Sequence, residues 1–132
     1  MNMKTDEQLK KENPALYHVA RENGTEPRFS RDFTNLKADG VLHCAVCNAA
    51  LFPASAKFDS KSGWPAFTDP VNKEAVKLIP DYTHGMTRTE VRCATCDAHL
   101  GHVWEQGAYG MKDENGKTCD YYCINGISLE TD

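Results

Sequence analysis

Long apolar runs are missing from this 132-residue chain: its uninterrupted apolar stretches last only a few residues. A membrane-spanning helix needs about 20, so no membrane role is expected. Dense clusters of Lys and Arg are missing too, with a net charge of −4 and a pI near 5.7. A protein that tracks a phosphate backbone needs a basic face, so nucleic acid is not an expected partner. The opening residues, "MNMKTDEQLKKENP", lack the apolar run of a secretory signal. The expected compartment is therefore the reducing cytoplasm, where paired cysteines read as metal or redox sites before structural disulfides. Repeats, low-complexity tracts and linkers are also lacking.

What is present describes a soluble globular chain, 40% hydrophobic and 26% charged. A chain of 132 residues suits one core, so residues 1–132 are expected to form one domain and a monomer. Residues 1–23 read as a helical segment and residues 24–130 as a β core. Thr5-Asp6-Glu7-Gln8 has the pattern of a capping box. Asn13-Pro14 reads as a second N-cap with proline at the first helical position. Leu16, Val19 and Ala20 follow at helical spacing, and Gly24 is the expected stop. Beyond "GTEPRFS" the segments "GVLHCAVC", "AVKLI", "EVRCATC" and "YYCINGISL" are short, rich in β-branched and aromatic residues, and bounded by turn formers. No helical pattern alternates with them, so antiparallel sheet is expected. "EQGAYGMKDENGKT" reads as a long exposed loop.

Six cysteines divide into three groups. "CAVC" (Cys44, Cys47) and "CATC" (Cys93, Cys96) are two CxxC knuckles with 45 residues between them. Each short turn can aim two sulfurs at one ion, and two such turns complete a tetrahedral four-sulfur site that suits structural Zn2+. The long interval means that the ion would join parts of a β domain distant in sequence. A thioredoxin-like redox CxxC needs a βαβ context and leaves the second pair unexplained. His43, next to Cys44, reads as an ordinary strand histidine.

Cys119 and Cys123, in "TCDYYCIN", belong to neither knuckle. Around them stand "SKSGWPAF" (60–67), "HLGHVW" (99–104) and "YYCIN" (121–125). If 121–125 is a strand, Cys123 and Asn125 share a face while Tyr122 and Ile124 share the other. His99 and His102, three apart, would face opposite sides of a regular strand. Gly101 between them permits a bulge that turns both rings to one side. Two imidazoles beside a thiol favour its reactive thiolate and offer a proton donor. On composition alone, however, Cys123 reads equally as an inert packed thiol or half of a disulfide, the histidines as hydrogen-bonded core, and Trp64 as core filler.

"GWPAF", "HGM", "CDAHLGHV" and "YCIN", in this order and with both CxxC pairs, resemble the MsrB-type peptide-methionine sulfoxide reductases. The likeness runs from "GTEPRF" at Gly24 to "ISL" near the C-terminus. It implies a mainly β fold of two antiparallel sheets, in a β-tent or open-barrel arrangement, with N-terminal helices outside. It implies an oxidoreductase that reduces the R epimer of methionine sulfoxide in oxidised proteins, with thioredoxin or another thiol as reductant. Cys123 matches the family's nucleophile, and Trp64 the tryptophan that receives the substrate methyl group. His99, His102 and Asn125 match the polar groups around the sulfoxide oxygen. Cys44, Cys47, Cys93 and Cys96 match the ligands of a structural Zn2+.

The chain also departs from that pattern. Ser62 stands where many members carry a resolving cysteine, Tyr121 replaces an arginine two residues before the nucleophile, and Gly126 replaces a common serine. Cys119 is then the remaining thiol that could resolve an oxidised Cys123. In a straight strand residues four apart lie about 13 Å apart, whereas a disulfide tolerates Cα separations of roughly 7 Å at most. The segment must fold back, or open afterwards, for the pair to close.

Overall fold

A computed structural model describes residues 4–22, 24–26, 40–58, 64–81, 88–104 and 120–131, with the backbone alone at 58 and 81. Cys119, Ser62, His84 and the 105–118 stretch lie outside the described residues. Two helices come first, α1 (Asp6–Glu12) and α2 (Pro14–Glu22). The capping box forms as the sequence leads one to expect. Thr5 Oγ1 accepts from the Gln8 amide at 3.1 Å, and Gln8 Oε1 accepts from the Thr5 amide at 2.9 Å. Asn13 Oδ1 caps α2 by accepting from the Leu16 amide at 3.2 Å. Leu16, Val19 and Ala20 are buried. The Gly24 amide returns to the His18 carbonyl at 2.9 Å, which turns the chain back at the end of α2. A Cβ at Gly24 would meet the His18 ring, which would have to swing aside.

Among the described residues nine strands follow: β1 (Val41–Cys44), β2 (Ala50–Pro53), β3 (Lys57–Phe58), β4 (Ala66–Phe67), β5 (Val76–Asp81), β6 (Arg88–Cys93), β7 (His99–Trp104), β8 (Tyr121–Ile124) and β9 (Leu129–Glu130). They form two antiparallel sheets among the described residues, β2-β1-β9 and β3-β4-β8-β7-β6-β5. The mainly β fold with N-terminal helices expected from the sequence is therefore the one observed. Phe52 of the small sheet stacks on Phe67 of the large one at 4.6 Å and meets Tyr122 edge-on at 5.8 Å. Burying each such ring contributes about 1.5–3 kcal/mol, so these aromatics join the sheets across one apolar core. None of the described helices is long and apolar enough to cross a membrane.

The helices pack on the cysteine knuckles. The Lys4 amide donates to the Val46 carbonyl at 2.9 Å, within the first knuckle. Arg21 donates to the Cys96 carbonyl at 2.7 Å while pairing with Asp6 at 3.0 Å, which ties both helices to the second.

Candidate functional site: a four-sulfur centre and a cavity beside Cys123

The two knuckles are the same local structure built twice. Cys44–Cys47 turns between β1 and β2, and Cys93–Cys96 turns between β6 and β7. Asn48 and Asp97 follow at φ 65° and 64°, a left-handed conformation that Asn and Asp tolerate better than most residues. Their amides return to the carbonyls of Cys44 and Cys93, each at 2.8 Å. "CAVCNA" and "CATCDA" therefore carry a local duplication that a search for long repeats does not detect.

All four sulfurs are buried and lie within 4.8 Å of one another. Cys44 and Cys96 approach to 3.7 Å, and Cys47 and Cys93 to 3.6 Å. A tetrahedron with metal–sulfur bonds of about 2.3 Å has edges of about 3.8 Å, so the donor set fits a four-coordinate ion. Hydrogen bonding with Cys93 pushes the Cys44 thiol far up, while bonding from Cys44 pulls the Cys93 thiol down to about 2. Adjoining sulfurs in one apolar pocket cannot all ionise unaided, and a dication removes that conflict. Since the first pair belongs to the small sheet and the second to the large one, the ion would clasp the two sheets together.

The second centre is built on β8. Ala66 of β4 pairs with Cys123 on one side, and His102 of β7 pairs with it on the other. Glu90 of β6 stands opposite His102. One row across the sheet thus reads Ala66, Cys123, His102, Glu90. The β6–β7 register shifts between Val91 and Arg92. This irregularity brings the His99 and His102 rings to 5.5 Å, although the residues are three apart in sequence. Gly101 lets β7 lie close against β8, because a Cβ there would collide with the Cys123 carbonyl.

A cavity of about 140 Å³ opens beside the thiol, lined by Trp64, Arg88, His102, Trp104, Cys123 and Asn125 among others. An apolar cavity of about 150 Å³ accepts a molecule as large as benzene, and a methyl sulfoxide group is no larger. Cys123 is half-buried, neither sealed in the core nor joined in a disulfide. Trp64 and His102 share the cavity with it.

His99 occupies a different position, 2% exposed and outside the residues that line the cavity. Its Nδ1 donates to Glu90 Oε2 at 2.7 Å, since a carboxylate can only accept. Arg92 donates to the same oxygen at 2.8 Å and to Asp97 at 3.2 Å. Burial pushes His99 below the usual histidine range, against the opposing pull of Glu90. Burial also pushes the Glu90 carboxyl up, but the hydrogen bonds from Arg92 and His99 outweigh it and leave it below the usual carboxylate range. The pair is thus a neutral ring facing an ionised carboxylate.

Asn125, 4% exposed, has its amide oriented at both ends. Oδ1 accepts from the Glu26 amide at 3.0 Å and Nδ2 donates to the Leu100 carbonyl at 3.0 Å. Glu26 does more: its carbonyl accepts the Trp64 indole N–H at 2.9 Å. Its carboxylate accepts the Gly126 and Ile127 amides at 2.6 and 2.8 Å. Sequence reasoning missed Glu26, Arg88 and Trp104. For Glu26 the only signal was its place in "GTEPRF", where the family likeness begins. Arg88 and Trp104 lie one pair further along the same sheet face, which a β-register alone could have revealed.

The chain matches the SelR domain family over residues 13–132. It is 43% identical over 129 residues to a protein of Escherichia coli O139:H28 (strain E24377A / ETEC) named peptide methionine sulfoxide reductase MsrB, covering 97% of this chain and 89% of that one. Two cysteine knuckles, a cavity shared by Trp64, His102 and Cys123, and this extent of identity lead to one conclusion: the chain belongs to the SelR-domain family of MsrB-type methionine sulfoxide reductases.

Proposed function

We propose that this protein reduces the R epimer of methionine sulfoxide in oxidised proteins, with Cys123 as nucleophile. The observation that carries this reading is the cavity that Cys123, Trp64 and His102 line together. A sulfoxide oxygen leaves poorly until protonated, so the thiolate needs an acid beside it. His102 stands across the ladder from the nucleophile and is that acid. His99 sits behind it, aimed by Glu90. The Trp64 face takes the S-methyl group by dispersion and sulfur–aromatic contact. Asn125 borders the oxygen side, and placing methyl and oxygen on opposite walls selects one epimer.

The step balances. Cys123 thiolate, sulfoxide and one proton give thioether and Cys123 sulfenic acid. The substrate sulfur gains two electrons and the cysteine sulfur loses two. A second thiol then condenses with the sulfenic acid, forming a disulfide and releasing water. Cys119 is our candidate for that thiol, with thioredoxin or another external thiol completing the cycle. Cys44, Cys47, Cys93 and Cys96 would hold Zn2+, which with four thiolate ligands would serve a structural role. We read the chain as one monomeric domain working in the cytoplasm.

The test is turnover of a peptide containing methionine-R-sulfoxide by wild type, Cys123→Ser and Cys119→Ser, with dithiothreitol and thioredoxin in parallel. Cys123→Ser should be inactive with either reductant while keeping its metal. Equal turnover by wild type and Cys123→Ser would remove the nucleophile assignment. Cys119→Ser should keep activity with dithiothreitol and lose it with thioredoxin. Oxidised wild type lacking a 119–123 disulfide in peptide mapping would exclude internal resolution.

A further inference from the structure

Glu26 is a buried acid, 6% exposed, that no step above uses. It follows α2 in a segment of irregular backbone, so no strand ladder holds it in place. Its side chain ties it to a turn near the end of the chain. The Gly126 and Ile127 amides begin the 3-10 turn Gly126–Ser128 immediately after Asn125. The first amides of a helical turn have no partner inside it, and the Glu26 carboxylate accepts both, at 2.6 and 2.8 Å. Bonds of this kind, with an ionised acceptor, are about twice as strong as neutral ones. With the carboxylate fixed to residues 126–127, the Glu26 backbone becomes a platform. Its carbonyl accepts the Trp64 indole N–H at 2.9 Å, and its amide donates to Asn125 Oδ1 at 3.0 Å. An indole can rotate and a carboxamide can flip, and these two bonds remove both freedoms.

We propose that Glu26 is a positioning residue: its carboxylate anchors the 25–26 segment on the 126–127 turn, and through that anchor the Trp64 indole and the Asn125 amide are held in one fixed mutual geometry. Both groups line the cavity together with Cys123, so one anchor sets two of the walls against which a sulfoxide is aligned. The kinetic consequence rests on the proposed reductase reading, whereas the coupling itself is a property of the protein without substrate.

The decisive variant is Glu26→Gln, which keeps the shape but turns one acceptor oxygen into an NH2 facing an amide donor. In 15N-labelled full-length protein, the Trp64 indole and Asn125 side-chain signals should shift together. The indole of Trp104, the other tryptophan of the chain, should stay; Trp104→Phe assigns the two indoles. Misplacement of a reacting group by about 1 Å can cost about 10²-fold in rate. kcat/KM toward the R-sulfoxide peptide should therefore fall about 10- to 100-fold, and the preference for R over S should narrow. A merely structural role lowers the thermal midpoint and leaves kcat/KM per folded molecule unchanged, and that result overturns the proposal. So do unmoved Trp64 and Asn125 signals in a folded variant. Should Glu26→Gln not fold, hydrogen exchange in the wild type decides. The Gly126 and Ile127 amides and the Trp64 indole should open as one unit, and an indole exchanging about tenfold or more faster than both amides refutes the anchor. A wild type with the coupled signals but no sulfoxide turnover would defeat the reductase reading while upholding the anchor.

Discussion

His102 stands directly opposite Cys123 in the β7–β8 ladder. Residues opposite one another on one sheet face have Cβ atoms about 4.5–5.5 Å apart, close enough for an imidazole to serve a reaction at the thiol. Substituting His102 by Gln removes a proton donor and retains a hydrogen-bonding shape. kcat should fall by about 10²–10⁴, with KM for the sulfoxide peptide changed far less. Steady-state kinetics across a pH series check this; unchanged kcat would transfer the acid role to another group.

Acid should weaken the fold through His99. Burial depresses its folded pKa below the ordinary value of 6.5. As pH falls through 6.5, the unfolded chain takes up a proton that the folded one refuses, so stability present above that pH is lost below it. The depressed Glu90 carboxyl adds a second loss of the same sign at lower pH. Thermal midpoints measured from about pH 7 to about pH 5.5 should decline in wild type and decline less in His99→Gln. Parallel declines in the two proteins would contradict this assignment.

Metal removal should part the two sheets. One metal ion per chain is expected by elemental analysis, and Cys47→Ser should lose it. A structural zinc site contributes folding energy outright, about 10–16 kcal/mol in isolated zinc-binding peptides. A strong chelator should therefore lower the thermal midpoint of wild type sharply and that of Cys47→Ser hardly at all. Identical responses would show that the cluster binds no ion.

Gly101→Ala tests the close approach of β7 to β8. The added methyl meets the Cys123 carbonyl, which is backbone and cannot swing aside. Overpacking of this kind costs about 1–3 kcal/mol, visible as a lower urea midpoint. Because the displaced atom belongs to Cys123 itself, turnover should fall with stability. A fully stable, fully active variant would show that the strands can separate without consequence.

Local signals were the readable ones. The two helix caps form where Thr5, Gln8 and Asn13 place them, because a cap is decided within four residues. The CxxC pairs announced the four-sulfur cluster, since the geometry of a knuckle is a property of its own turn. Gly101 pointed to an irregularity between the histidines, and the register shift lies there. By contrast, nothing in the spacing of His99 and His102 shows that one lines the cavity while the other is locked behind it on Glu90.

By itself, then, the sequence determined the β-rich class, the helix ends, the four-sulfur set and, through its motifs, the family. Those features depend on neighbours along the chain or on the chemistry of a residue type. Only the tertiary structure decided that Phe52, Phe67 and Tyr122 join two sheets, and that Ala66, Cys123, His102 and Glu90 form one row. It also decided that Glu26 holds a tryptophan 38 residues away and a turn 100 residues away. Contacts over such separations are set by strand register and sheet packing, which sum many weak preferences over the whole chain and leave no mark at any single position.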